Sequence, residues 1–189
     1  MTVTVTKPRG TAKGLSKSRF VHGCQCARYL WWETYDRDAP ELIPDAALED
    51  IFEQGHHVGE LARRRFPGGV LIDLDQRDPA REPRTRQLIA AGAPAIFEAT
   101  FVADSTYVAI DVLLPERKGF ALIEVKSKKS IEDRNVLDAA VQTHVARAAG
   151  IDVRRVELMH LNPDYVHPGP ADLFVREDVT DRVEALLPD

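Results

Sequence analysis

Thr and Val alternate from Thr2 to Thr6, a period of two that suits an edge strand, and Lys7-Pro8-Arg9-Gly10 ends it. Residues 1–14 as a whole read as a flexible lead. Leu15-Ser16-Lys17-Ser18 then opens a helix that carries Phe20, Val21, Tyr29, Leu30, Trp31 and Trp32, with Ser16 or Ser18 as its cap. Asp36 to Pro44 is polar and bounded by proline, hence a loop. From Asp45 to Phe66, Leu48, Ile51, Phe52, Val58, Leu61 and Ala62 recur mostly at helical spacing, and Pro67-Gly68-Gly69 stops the run.

Val70 to Leu74 predicts a short strand, Asp75 to Pro83 a charged loop, and Arg84 to Ala91 a short helix ended by Gly92. The texture then changes. Ala95–Val102, Tyr107–Leu114 and Phe120–Val125 are β-rich runs separated by brief turns, the signature of an antiparallel meander. Ile131 to Ala149 returns to helical spacing through Val136, Leu137, Ala140, Val141, His144, Val145 and Ala148, with Gly150 where a C-terminal cap belongs. Val153–Leu161 predicts a strand, Asn162 to Pro170 a loop, Leu173–Val175 a last strand and Val179–Leu187 a last helix. A helical crossover between strands makes a parallel pair. The expectation is therefore an α/β core, a mixed central sheet with helices on both faces.

Composition sets outer bounds. The 189 residues suit one domain, 15–189, with a real core. No run approaches the apolar length of a membrane helix, and the N-terminus lacks the apolar centre of a secretory signal. Two cysteines exclude a disulfide scaffold and favour a reducing, cytoplasmic setting. A net charge of −5 argues against a nucleic-acid binder that works by bulk charge.

Candidate chemistry sits in the meander. Asp111 interrupts an apolar strand, and Glu124 and Lys126 lie two residues apart in the next, so both point to one face. A tight turn would bring Asp111 beside them. Two carboxylates from different segments suit a hard cation such as Mg²⁺ or Mn²⁺, and a nearby lysine can orient or deprotonate water or stabilise a transition state. A simple Asp111–Lys126 ion pair is the alternative, since charges inside apolar strands need partners.

Asp111, twelve intervening residues and Glu124-Val125-Lys126 resemble the D-Xn-E-x-K signature of the PD-(D/E)XK nuclease superfamily. Gln142 in the following helix resembles the helical glutamine of its RecB and Cas4-like branch, although Ala146 stands where that branch often has tyrosine. Gln54-Gly55-His56-His57-Val58-Gly59-Glu60 is similar to the branch's first motif, with Gly59 where its metal-binding histidine would be. Leu15–Phe20, Gln25-Cys26, Ile96–Ala99, Ile123–Ser127 and Leu158–Asn162 are similar to the DUF2779 proteins, a family without an assigned function.

The resemblance implies a restriction-endonuclease-like core that hydrolyses DNA phosphodiester bonds. Asp111, Glu124, the Val125 carbonyl and Glu60 would hold Mg²⁺ or Mn²⁺, Lys126 would act on the attacking water, and Gln142 would join the site. Glu98 and His57 are helper candidates; adjacent histidines do not share a helix face, so His56 and His57 cannot both serve. Lys128, Lys129, Arg63 and Arg64 are candidate phosphate contacts. A catalytically inactive DNA-binding module with the same fold is the competing expectation, motivated by Gly59 and Ala146.

Cas4-like relatives carry an iron–sulfur cluster, but Cys24 and Cys26 alone cannot build a four-cysteine cluster in this chain. They read as partly buried free thiols, and the length suggests a nuclease core lacking a C-terminal cysteine segment. Lys17, Arg19 and Arg28 alternate with aromatics, for which core packing of the tryptophans is favoured over base stacking.

Overall fold

A computed structural model describes residues 14–76 and 78–187 of the chain. The expected strand at Thr2–Thr6 and nearly all of the expected flexible lead lie outside these residues. The elements run β1 (Leu15–Ser16), α1 (Lys17–Gln25), α2 (Ala27–Tyr35), a 3-10 turn (Pro40–Leu42), α3 (Ala46–Arg63), β2 (Val70–Leu71), α4 (Arg81–Ala90), β3 (Ile96–Ala103), β4 (Thr106–Pro115), β5 (Phe120–Lys126), α5 (Asp133–Ala148), β6 (Val153–Leu161), β7 (Phe174–Asp178) and α6 (Thr180–Glu184).

The sheet order is β2-β3-β4-β5-β6-β7. β3, β4 and β5 form the expected antiparallel meander, and β5 and β6 pair in parallel through the α5 crossover. β5 pairs with β4 only from Val112 to Pro115, so the start of that β4 edge is open, and β1 fills it in parallel at Thr106 and Tyr107. Two apolar clusters cover the two faces. Leu122 and Leu158 pack with Val136 and Val145 of α5, whereas Ile123 and Met159 pack with Val58 and Ala62 of α3. The mixed α/β core with helices on both faces is thus present.

Four local expectations need correction. The first helix is two helices broken at Cys26, whose extended backbone (φ −155°, ψ 108°) ends α1 and starts α2. A Cβ on Gly23 would stand 2.7 Å from Leu30 Cδ2, so glycine lets the two helices close on each other. Ser16 is the cap, its side chain accepting from the Arg19 N–H. Second, Trp31 is 52% exposed and no residue of α1 or α2 is buried, so the tryptophans are not core. Third, α4 begins at Arg81 rather than Arg84, because Pro83 sits in the first turn, where its missing N–H has no intrahelical partner to lose. Fourth, the strand expected over Val70 to Leu74 shortens to two residues.

Candidate active site

The site begins with a fault in the sheet. Phe97 packs with the α3-side cluster and Ala99 with the α5-side cluster, although residues two apart on a strand normally share a face. The switch falls at Glu98, held in the left-handed region at φ 58°. On β4, Val112 and Ile110 divide in the same way, with Asp111 between them. Glu98 and Asp111 therefore sit across from each other at a paired irregularity, where backbone strain is concentrated. Arg81, only 3% exposed, braces it, donating to Thr100 Oγ1 (3.0 Å), the Glu98 carbonyl (3.3 Å) and the Ile72 and Leu74 carbonyls (3.4 and 2.5 Å).

The Val112↔Ile123 register places Asp111 opposite Glu124. Asp111 Oδ2 accepts the Val125 N–H at 2.7 Å. Glu124 is 2% exposed and both of its oxygens are engaged. Oε1 takes Lys126 Nζ at 2.7 Å and Lys17 Nζ at 3.0 Å, and Oε2 takes Gln142 Nε2 at 2.6 Å. Asp138, one helical turn before Gln142 on α5, receives Lys126 at 2.6 Å and Lys17 at 3.3 Å. The alternative of a direct Asp111–Lys126 ion pair is absent among the described residues: Lys126 is spent on Glu124 and Asp138.

These contacts set the charge states. Burial would raise Glu124, but Lys126 and Lys17, with hydrogen bonds from Lys126 and Gln142, overcome it and hold this carboxylate well below its usual range. Asp111 goes the other way. Burial and the neighbouring Glu124 charge push it up to about 8, against the opposing pull of Lys17, the Val125 N–H and Lys126. Asp138 is raised by burial and by Glu124. Both lysines, despite burial, are held above their ordinary value by Glu124 and Asp138. Lys126 is thereby a fixed cation, suited to orienting water or offsetting charge rather than to removing a proton.

Asp111, Val125 and Lys126 line a cleft of 510 Å³ with Glu98, Arg81, Glu60, His56, Arg63 and Gly59. Gly55 and Gly59 sit one helical turn apart on α3, and a Cβ on either would meet nothing within 4 Å, so the helix leaves open space above the sheet. The expected helpers divide. His56 lines the cleft, whereas His57, about 100° further round α3, does not. Arg63 reaches the cleft, but Arg64 lines a separate groove with Arg65, which pairs with Asp172. Lys128 is exposed and paired with Glu132 at 2.6 Å, and Lys129 is exposed. Cys24 and Cys26 are free and exposed, not partly buried.

Asp111, Glu98 and Glu60 line the cleft, and carboxylate oxygens suit a hard divalent cation. Among the described residues no three His, Cys, Asp or Glu side chains gather into a metal-holding group. Asp111 and Val125 line the cleft, whereas Glu124, buried with both oxygens engaged, does not. Exposed Glu60 lines the same cleft as Asp111.

Lys17, Asp138 and Arg81 were not singled out as site residues from the sequence. Asp138 carries a signal, its i, i+4 spacing from Gln142; Lys17 and Arg81 act across the fold and carry none.

No family model and no curated protein matches the chain. Among solved structures, the crystal structure of SSO0001 is similar at a TM-score of 0.46 and 9% identity, over 95% of this chain and 79% of that one. A likeness that weak carries no argument about fold or function. No helix among the described residues is long and apolar enough to cross a membrane.

Proposed function

We propose that the chain is a divalent-metal-dependent nuclease of the PD-(D/E)XK type, hydrolysing DNA phosphodiester bonds at the Asp111–Glu124–Lys126 cleft. The observation that carries this reading is that Asp111 and Lys126 line one open cleft while buried Glu124 and Gln142 stand directly behind them, Glu124 bonded to Lys126 at 2.7 Å and to Gln142 at 2.6 Å. Asp111, Glu124 and the Val125 carbonyl would hold Mg²⁺ or Mn²⁺, which supplies a Lewis acid that acidifies water and offsets charge growing on the phosphate. Lys126 holds its ammonium where it can orient the attacking water and stabilise the developing charge. Gln142 and Lys17 fix the Glu124 carboxylate, Asp138 fixes Lys126, and Arg63 offers a cation at the cleft wall. Free cysteines on the surface support a reducing, cytoplasmic setting.

The test is cleavage of single- and double-stranded DNA with Mn²⁺ by the wild type, Asp111→Ala and Lys126→Ala. The wild type should cleave and both variants should lose activity. Equal activity in all three would sink the mechanism.

A second reading, a non-catalytic DNA-binding module, is favoured by one observation. Glu124 already spends both oxygens on Lys17, Lys126 and Gln142. It predicts salt-sensitive retention of DNA that does not depend on metal, with no cleavage.

A further inference from the structure

Beside the cleft lies a second groove of 580 Å³, and Gln76 lines both. Arg19 of α1 and Arg37, just beyond α2, line its wall. Both guanidinium groups donate to one acceptor, the Glu33 carbonyl, at 2.9 and 3.3 Å. The Glu33 carboxylate is turned to His22 at 3.0 Å. Among the described residues neither arginine has a carboxylate within ion-pairing reach, so two like charges are drawn together uncompensated. Tyr107, at the start of β4, lines the same groove, and its hydroxyl is buried without a hydrogen-bond partner among the described residues. An unpaired buried hydroxyl costs free energy that a ligand oxygen would recover.

Paired guanidinium groups match a tetrahedral oxyanion, to which arginine donates in a fixed fork, and a small shift of the Tyr107 ring would bring its covered, unpartnered hydroxyl to the same oxyanion. We infer that this groove binds the phosphodiester backbone of a nucleic-acid strand, and that the strand passes from the Asp111 cleft over Gln76 onto Arg19, Arg37 and Tyr107. This rests on the nuclease reading for the identity of the ligand, and it adds a binding site outside the residues proposed for cleavage. Arg19 and Arg37 would hold phosphates flanking the scissile one and fix the direction in which the strand lies. Such contacts carry register and affinity rather than base sequence.

Fluorescence anisotropy of labelled single-stranded and duplex DNA in EDTA, at several salt concentrations, tests this without cleavage. The variants are Arg37→Glu and Tyr107→Phe. Arg37→Glu should weaken binding at least tenfold. It should also flatten the slope of log affinity against log salt by about 0.7 for each single-strand phosphate that the protein no longer neutralises. Tyr107→Phe removes an unpartnered hydroxyl, so it should leave the thermal midpoint unchanged or raised while weakening binding several-fold. A purely structural tyrosine would not separate those two readouts. The single-strand and duplex arms identify which form of the backbone the groove takes.

Wild-type affinity unchanged in both variants overturns the groove, even if Mn²⁺-dependent cleavage is intact. Failure of the wild type to bind either DNA in EDTA also overturns it. Weakened binding in the variants supports the groove even if no cleavage is ever found, which separates its fate from that of the nuclease reading.

Discussion

Lys17→Met tests whether the N-terminal helix is a working part of the site. Lys17 lies 3.0 Å from Glu124 and 3.3 Å from Asp138, with its side chain 20% exposed. At an effective dielectric near 20, an ion pair at that distance with Glu124 is worth about 5.5 kcal/mol of Coulomb energy. Desolvation of the ammonium offsets several kcal/mol of this. Fully ionised, the three carboxylates Asp111, Glu124 and Asp138 face the two lysines Lys17 and Lys126 with a net charge of −1; the variant leaves −2. Removing one partner of a buried pair costs about 3–5 kcal/mol. Because Lys126 and Gln142 remain on Glu124, the low end applies, about 3 kcal/mol. For a domain of this size that is a fall of roughly 6–12 °C in the thermal midpoint. Urea unfolding followed by far-ultraviolet circular dichroism should show a lower midpoint at constant slope. Lys128→Met, which breaks an exposed pair with Glu132, serves as control and should leave the midpoint where it is. A destabilisation by Lys17→Met of under about 1 kcal/mol at constant slope would refute the reasoning and show that Lys126 alone neutralises the cluster.

Four further outcomes are expected. An acid raised from 3.8 to about 8 binds its proton more tightly in the folded chain, so the stability Asp111 contributes is full below about pH 4 and is lost as pH rises to about 8. Asp111→Asn keeps an acceptor for the Val125 N–H and escapes that loss, so its advantage in urea melts should grow from pH 4 to pH 8 while DNA cleavage disappears. Gln142→Ala removes a fully buried donor to Glu124 and leaves a void, and should cost about 3 kcal/mol by the same melts. Gly59→Ala lies in the interior of α3 with open space around its Cβ, and should gain about 1 kcal/mol of helix stability in thermal unfolding. Gly119→Ala, at φ +71° with its Cβ 2.2 Å from the Asp152 carbonyl oxygen, should lose about 3 kcal/mol or more in the same experiment.

The sequence made the meander legible because its strands are local: short turns force antiparallel pairing, and that pairing puts Asp111 opposite Glu124. The crossover helix was legible for the same reason, since its apolar stripe and Gly150 mark both its face and its end. Other features were set by partners far along the chain. The break at Cys26 depends on how closely Gly23 meets Leu30, which no periodicity announces. Trp31 and Trp32 read as core because large aromatics usually are buried, but α1 and α2 lie outside both apolar clusters. The face switch at Glu98 breaks the alternation on which strand reading depends, so the bracing by Arg81 was invisible too. The net charge of −5, which argued against nucleic acid, says nothing of the local pairing of Arg19 with Arg37.

The bond from Lys17 to Glu124 also bears on the order of folding. The two residues are 107 positions apart, with the whole of the meander's first two strands between them. Closing so long a loop is entropically unfavourable and yields nothing until the intervening sheet exists. The meander can form from neighbours, and α5 can dock on it soon after, delivering Asp138 and Gln142. The N-terminal helix then joins a carboxylate already in place, although it leaves the ribosome first. Mutations at Lys17 should accordingly speed unfolding and leave the refolding rate nearly untouched, making this bond a late latch on a nucleus built elsewhere.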